Sequence, residues 1–283
     1  MKSSLLYLVL TFVISINAVY AQEENPINYL NSLPTGLKLD KSIKRSYQMT
    51  TDYYNYDMKS NFLGKERLTG TITYGLNNDS VQWKDVYYAQ WKDVYYAQSK
   101  VLDAVFPQGV KINFLQDFEY VPSEEVLTPE FFKDNLPEAD PLIMNLIWDA
   151  LGFDALAYCC WDSLKLGEEF RAKNMNFEVK IADIGTFENK DIRITWIGVT
   201  KINNKICAIL KYSVMNNPLY IEYENMFMSG RSHYWGEIYV SLSDKQIEYA
   251  NLTEDVLTDI TFKSQPDSRL GYIVRNINLS RIE

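Results

Sequence analysis

The chain has 283 residues, and its formal net charge at pH 7 is −9. No cluster of lysines and arginines offsets this acidic balance, so nucleic acid and anionic membrane surfaces are poor partners. The 21 tyrosines and 13 phenylalanines, together with many isoleucine and threonine residues, favour sheet over helix and indicate a mainly β fold.

Residues 1–21 have the pattern of a secretory signal peptide. A basic head precedes an apolar stretch, Leu5–Ile14, and small residues lead up to Ala21, where cleavage is expected. The apolar stretch is shorter than the roughly 20 residues that a membrane-spanning helix needs. We therefore expect an exported protein, periplasmic or extracellular, in which residues 22–283 form one β-rich domain without a membrane span.

The first strands are predicted in residues 47–57 and 67–74, which are rich in aromatic and β-branched side chains. The segment Gln82–Gln98 then contains the octapeptide QWKDVYYA twice, without a difference. Two copies in line would reach about 50 Å, which is longer than ordinary strands. We expect one copy to pair in the sheet and the other to project or loop out.

Strict alternation along the octapeptide assigns its side chains to two faces, and a unit of even length keeps each side chain on its face in both copies. One face is predicted to carry Trp83, Asp85 and Tyr87, and the other Lys84, Val86 and Tyr88.

Between about residues 123 and 165 the pattern changes to helix. The pairs Thr128-Pro129 and Asp140-Pro141 combine an N-cap residue with a proline at the first helical position, which predicts two helix starts. The second helix is apolar around most of its circumference as far as Leu164, so it needs a cover. Asp149, Asp154 and Asp162 are predicted either to form its polar edge or to act as caps.

From Phe170 onward the sequence returns to strand patterns, joined by short turns such as Asn203-Asn204 and Ser229-Gly230 that imply antiparallel neighbours. We expect one curved antiparallel sheet, or half-barrel, whose concave side holds the helix of residues 141–164; a two-sheet sandwich is the alternative. This order of elements resembles the bacterial periplasmic lipoprotein carriers and lipocalin-like half-barrels, in which a twisted antiparallel sheet wraps a helical plug. The resemblance implies that the protein carries or senses an apolar ligand.

The strand Arg231–Leu242 has the most informative pattern. Its core side is predicted to consist of Tyr234, Gly236, Ile238, Val240 and Leu242. The opposite side carries five large side chains that could bind a ligand, because aromatic rings stack while charged groups orient it. They are Arg231, His233, Trp235, Glu237 and Tyr239, and Phe153 and Trp161 of the helix complete the candidate ligand-binding set. An ordinary solvated outer face explains the same alternation and is the interpretation that we favour.

Signals for catalysis, metals and cofactors are weak. His233 and Glu237 lie about 13 Å apart along an extended strand, so a hydrolase built on them needs partners from neighbouring strands. The sequence contains no G-x-S-x-G turn, phosphate loop, dinucleotide fingerprint or calcium loop, and we expect no cofactor. Cys159 and Cys160 are adjacent rather than spaced as metal ligands, so we expect no metal site. One of them either forms a disulfide with Cys207, or all three stay as buried thiols.

Two non-enzymatic functions follow from these patterns. The first is an exported binding protein that encloses a small apolar or amphipathic ligand between sheet and helix, which predicts a roomy cavity beside residues 142–161. The second is an envelope or surface interaction protein that binds a glycan or a protein through exposed aromatics, and several coplanar rings on one face would indicate a sugar site. Hydrolysis by His233 and Glu237 is the third alternative. The sequence leaves the oligomeric state and the identity of the ligand open.

Overall fold

The computed structural model describes residues 25–76, 79–92, 105–106, 109–181 and 184–282. The predicted signal peptide and most of the second octapeptide copy lie outside these ranges. None of the described helices combines the length and the apolar character needed to cross a bilayer.

Thirteen strands form one hydrogen-bonded sheet in the described part of the chain. The strands before the helices are β1 (Arg45–Asp57), β2 (Phe62–Tyr74), β3 (Val81–Lys92), β4 (Val110–Lys111) and β5 (Phe118–Tyr120). Those after the helices are β6 (Glu169–Arg171), β7 (Phe177–Ile181), β8 (Gly185–Asn189), β9 (Ile192–Ile202), β10 (Lys205–Tyr223), β11 (Met226–Ser241), β12 (Ile247–Phe262) and β13 (Gln265–Arg281).

The sheet runs in the order β4-β3-β2-β1-β13-β12-β11-β10-β8-β7. β5 pairs with β3 beside β4, while β9 and then β6 continue the sheet from the other half of β10. Neighbours in this path are antiparallel, and its two ends are different strands, so the sheet stays open. The predicted mainly β fold with one antiparallel sheet is therefore confirmed. The sandwich alternative is wrong, because the strands belong to a single sheet.

The helices lie between β5 and β6. They are α1 (Pro129–Asn135) and α2 (Pro141–Tyr158), the two α-helices within the described ranges. Short 3-10 helices occupy Pro26–Tyr29, Asn113–Leu115, Glu124–Leu127, Trp161–Ser163 and Lys173–Met175.

Both helix starts follow the capping chemistry predicted from the sequence. The Thr128 hydroxyl accepts a hydrogen bond from the Phe131 N–H, and the Asp140 carboxylate accepts one from the Ile143 N–H. Each bond satisfies a backbone donor that the first helical turn leaves without a partner. The prolines that follow lose no hydrogen bond at this position, so both predicted starts are confirmed.

The hydrophobic core lies between α2 and one face of the sheet. We call this the core face; on β11 it includes Ile238 and Val240, both fully buried. α2 contacts β11 and β12 and buries residues on several of its sides: Ile143, Met144, Leu146, Ile147, Ala150, Phe153, Leu156 and Ala157. Each large apolar side chain buried in this way contributes roughly 1.5–3 kcal/mol. The opposite side of the sheet is the outer face.

The strict alternation predicted for the octapeptide is wrong at Asp85. This residue adopts a φ of 48° and forms a bulge, where β3 contains one residue more than the facing part of β2. As a result Trp83 and Val86 both lie on the core face and are fully buried. Gly70 on β2 leaves room for them, since a Cβ there would lie 3.0 Å from Val86 Cγ2. The first copy pairs in the sheet, as expected, and the path of the second beyond Lys92 lies outside the described residues.

Candidate functional site

The side chains of β11 alternate between the core face and the outer face of the sheet, as the sequence pattern predicted. Gly236, Ile238 and Val240 are buried on the core face, and Tyr234 on the same side donates a hydrogen bond to Asn189 Oδ1 at 2.6 Å. The outer face carries Arg231, which is exposed, and four residues that are half-buried: His233, Trp235, Glu237 and Tyr239.

Phe153 and Trp161 lie on the other side of the sheet. Phe153 is only 1 % exposed, and Trp161 is buried with its indole N–H donating to the Pro34 carbonyl at 2.8 Å. The sheet stands between them and the outer-face residues of β11. The seven candidate residues therefore do not form one site.

The interface between α2 and the sheet contains a buried ionic triad. Asp149 of α2 forms an ion pair with Arg275 of β13, and Arg275 also binds Glu254 of β12. The Ser232 hydroxyl donates to Glu254, and the guanidinium lies 5.1 Å from the centre of the Tyr53 ring. Asp149 was predicted at the polar edge of the helix; this is wrong, because the carboxylate points at a cation of the sheet.

A second ion pair lies five residues, or about 1.4 helical turns, further along α2. Asp154 is 3.5 Å from the guanidinium of Arg45, which is 1 % exposed and stacks 4.2 Å from the centre of the Tyr74 ring. Asp154, whose side chain is 18 % exposed, thus also faces a cation of the sheet rather than a solvated polar edge. Beside residues 142–161, where the sequence predicted a roomy cavity, the described residues include these ion pairs and the buried apolar side chains of α2.

Burial changes the acidity of both helix aspartates. Desolvation raises the pKa of Asp149 to about 6; the nearby Glu254 adds to the shift, and Arg275 opposes it. Desolvation also raises the pKa of Asp154 to about 6, against the attraction of Arg45. A carboxyl whose pKa is higher in the folded than in the unfolded state binds its proton more tightly when folded.

These two carboxyls are expected to stabilise the fold as pH falls from 7.5 to 5, by roughly 1–1.5 kcal/mol each, because protonation removes the cost of a buried charge. Urea unfolding at both pH values measures the change. Asp149→Asn is expected to remove about half of it, whereas the exposed Asp134→Asn keeps the wild-type pH dependence. A wild-type protein that loses stability over this range contradicts the assignment.

The outer face carries an open depression of about 470 Å³ near the far end of the four longest neighbouring strands. Two cross-strand rows form its floor. One row runs from Tyr220 through Ser229 and Asp259 to Leu270, and the next runs from Pro218 through Arg231 to Leu257. Met58, in the turn after β1, lies at one side. Rows two residues apart on a strand share a face, so all these side chains point to the outer side.

Much of this depression is apolar and exposed. Tyr220 is 51 %, Leu257 47 %, Leu270 47 % and Met58 53 % exposed. Single exposed apolar residues are ordinary, but a contiguous group on one face is typical of an interaction site.

Arg231 and His233 supply hydrogen-bond donors in the depression. The Arg231 guanidinium forms no ion pair or hydrogen bond with any other described residue, while the backbone of Arg231 pairs with Pro218 and Leu257 in the sheet. His233 Nδ1 accepts a hydrogen bond of 3.2 Å from the Asn216 N–H, which a bulge in β10 directs towards the ring. The neutral ring therefore carries its proton on Nε2, where it can donate to a ligand.

The rest of the predicted outer-face set continues along β11 and does not line the depression. Glu237 accepts a hydrogen bond of 2.6 Å from the Tyr239 hydroxyl, and Trp235 lies opposite Thr253. His233 and Glu237 have different partners and do not meet, so the structure does not form the dyad that the hydrolase alternative needs. Among the described residues no three of His, Cys, Asp or Glu are grouped as metal ligands.

The three cysteines are free thiols, so the disulfide alternative is not formed. Cys160 and Cys207 are buried, and burial raises the pKa of the Cys207 thiol to about 12, which keeps it protonated and unreactive.

The sequence pattern predicted two of the residues that line the depression, Arg231 and His233. It did not predict Tyr220, Leu257, Asp259 and Leu270. One signal was present: Val256 and Leu257 are consecutive apolar residues in one strand. Because neighbours in a strand face opposite sides, one of the two must point outwards.

Comparison with known proteins gives no family. No protein-family model matches this chain, and no curated protein matches it. Among the solved chains that the structural comparison matches is one titled for lipid–protein interactions in lipovitellin, with a TM-score of 0.41 and 12 % identity. The match covers 85 % of this chain and 25 % of the lipovitellin chain, so this chain spans about a quarter of that protein. A similarity of this degree carries no argument about function.

The class that the fold defines is an open antiparallel β-sheet protein with a helix packed on one face.

Proposed function

We propose that this chain is a non-enzymatic binding protein that takes an amphipathic ligand in the outer-face depression. The observation that carries the proposal is the arrangement of exposed Tyr220, Leu257 and Leu270 around Arg231, a cation without an ionic partner among the described residues. The volume of the depression, about 470 Å³, lies within the range of about 300–1,000 Å³ that small-molecule sites have. The signal-peptide pattern of residues 1–21 supports a location outside the cytoplasm.

The core face supports no such role for the described residues. The side chains between α2 and the sheet are packed and carry the two ion pairs of Asp149 and Asp154. A ligand there would have to separate the two ion pairs that join α2 to the sheet, and removing one partner of a buried pair costs several kcal/mol. The amphipathic ligand predicted from the sequence is therefore assigned to the outer face instead.

The outer-face aromatics favour an amphiphile over a sugar. Tyr56 and Tyr272 are inclined at 35° to each other, and Tyr239 and Tyr249 at 58°, so neither described pair forms the flat platform expected of a sugar site. The apolar groups at the floor of the depression are mostly aliphatic, and these suit a hydrocarbon chain.

Leu257→Asp is expected to weaken binding of lauroyl lysophosphatidylethanolamine, a single-chain amphiphile, at least about tenfold, because burying a leucine contributes roughly 1.5–3 kcal/mol. Isothermal titration below the micelle concentration measures the affinity. Leu166→Asp, which changes a leucine of similar exposure outside the depression, is the matched control and should bind as the wild type does. Wild-type protein without saturable binding, or Leu257→Asp with unchanged affinity, refutes the proposal.

A further inference from the structure

The depression contains two opposite charges that do not neutralise each other. Arg231 on β11 pairs with Leu257, and Asp259 lies two residues further along the same strand, β12. Both side chains are on the outer face, about 7 Å apart along the strand direction. They form no ion pair with each other or with any other described residue.

One oxygen of the Asp259 carboxylate has no hydrogen-bond donor among the described residues. Its Oδ1 is shielded from solvent by protein atoms, yet no described group donates a hydrogen bond to it. Other outer-face carboxylates are satisfied: Asp52 binds Arg67, Asp255 accepts from the Tyr272 hydroxyl at 2.9 Å, and Glu237 accepts from Tyr239. A buried acceptor without a donor costs on the order of 1–3 kcal/mol, more for a charged group. The carboxylate as a whole is half-buried and lines the depression, so a ligand ammonium can supply there the N–H donor and counter-charge that no described residue supplies.

Arg231 offers the complementary half of the site. A guanidinium presents N–H donors in a planar fork that fits a phosphate or carboxylate, and Nε2 of His233 adds a donor from the next position on the same face. The anionic part of a ligand is thus expected at Arg231 and its cationic part at Asp259.

We propose that the depression selects a zwitterionic amphiphile with a primary ammonium group, in which an anionic group binds Arg231, the ammonium donates to Asp259 and the hydrocarbon chain covers Tyr220, Leu257 and Leu270. This inference rests on the proposed function and names the ligand class of the same site. A primary ammonium is required because a quaternary ammonium has no N–H to donate to the Asp259 carboxylate.

The test compares three lauroyl lysophospholipids that share one chain and differ in the head group, together with free phosphoethanolamine, by isothermal titration. The ethanolamine lipid is expected to bind about tenfold tighter than both the choline lipid, which lacks the N–H, and lysophosphatidic acid, which lacks the cation. Free phosphoethanolamine is expected to give no measurable binding, since it lacks the chain; binding equal to that of the lipid would assign the site to a free zwitterion and overturn the amphiphile.

Two substitutions test the contributions of Asp259 and Arg231 to binding one at a time. Asp259→Asn is expected to abolish the preference for the ethanolamine lipid over lysophosphatidic acid, and Arg231→Ala to weaken all three lipids. Asp134→Asn and Arg171→Ala, both exposed and outside the depression, are the controls and should keep the wild-type preference. Equal binding of the three lipids overturns the head-group inference while the proposed function stands. No binding of any lipid overturns both.

Discussion

Replacing Arg275 by methionine is expected to lower the free energy of unfolding by about 3–5 kcal/mol, because Asp149 and Glu254 would then remain buried without a counter-charge. Methionine keeps much of the side-chain volume, so the loss reports the charge rather than a cavity. Urea unfolding at pH 7.5, followed by circular dichroism, measures the difference from the wild type.

Two further variants identify the cause of that loss. Arg171→Met removes an arginine whose ion pairs lie at the surface, and it is expected to cost less than about 1 kcal/mol. Adding Asp149→Asn and Glu254→Gln to Arg275→Met neutralises the whole triad and is expected to recover most of the stability, since no isolated charge is left. If Arg275→Met is as stable as the wild type, or the triple variant is no better than the single one, the triad does not hold α2 to the sheet.

The triad explains how an almost entirely apolar helix obtains a defined position. Apolar contacts between α2 and the sheet are non-directional and tolerate sliding or rotation of the helix. The pairs of Asp149 with Arg275 and of Asp154 with Arg45 are directional, and they lie at two points along the helix axis. We infer that the apolar contacts provide most of the stability, while these two pairs fix the register of α2 on the core face.

The local features of the fold could be predicted from the sequence because their causes are local. The caps at Thr128 and Asp140 depend on residues within three positions of each helix start, and the alternation of β11 sets which side chains face the core. The partners of the helix aspartates could not be predicted in this way. Arg275 lies 126 positions from Asp149, and Arg45 lies 109 positions from Asp154, so only the completed sheet brings them together.

The outer-face depression could not be predicted from the sequence for a related reason. It requires the register of several neighbouring strands, which aligns Tyr220 with Ser229, Asp259 and Leu270 in one row. A shift of one residue in any pairing would send part of this row to the core face. At Asp85 a single bulge moves Val86 to the same face as Trp83, so a prediction of side-chain faces from alternation alone is wrong there.

Phe153→Ala is expected to destabilise the protein by about 3–5 kcal/mol, because it removes a ring that is 1 % exposed and leaves a cavity between α2 and the sheet. The same unfolding measurement detects this loss, and Phe177→Ala, at a ring that is 38 % exposed, is the matched control with a cost of about 1 kcal/mol or less.

The same variant separates the two roles that the sequence allowed for Phe153. If the ring belongs to the core and the ligand binds the outer face, folded Phe153→Ala protein retains the wild-type affinity for lauroyl lysophosphatidylethanolamine, whereas Leu257→Asp loses it at full stability. The opposite result, an intact fold with lost binding in Phe153→Ala, would place the ligand beside α2 and refute the assignment to the outer face. Stability and binding are thus expected to depend on different faces of one sheet, since the strands that separate Phe153 from Leu257 also keep the ligand away from the core.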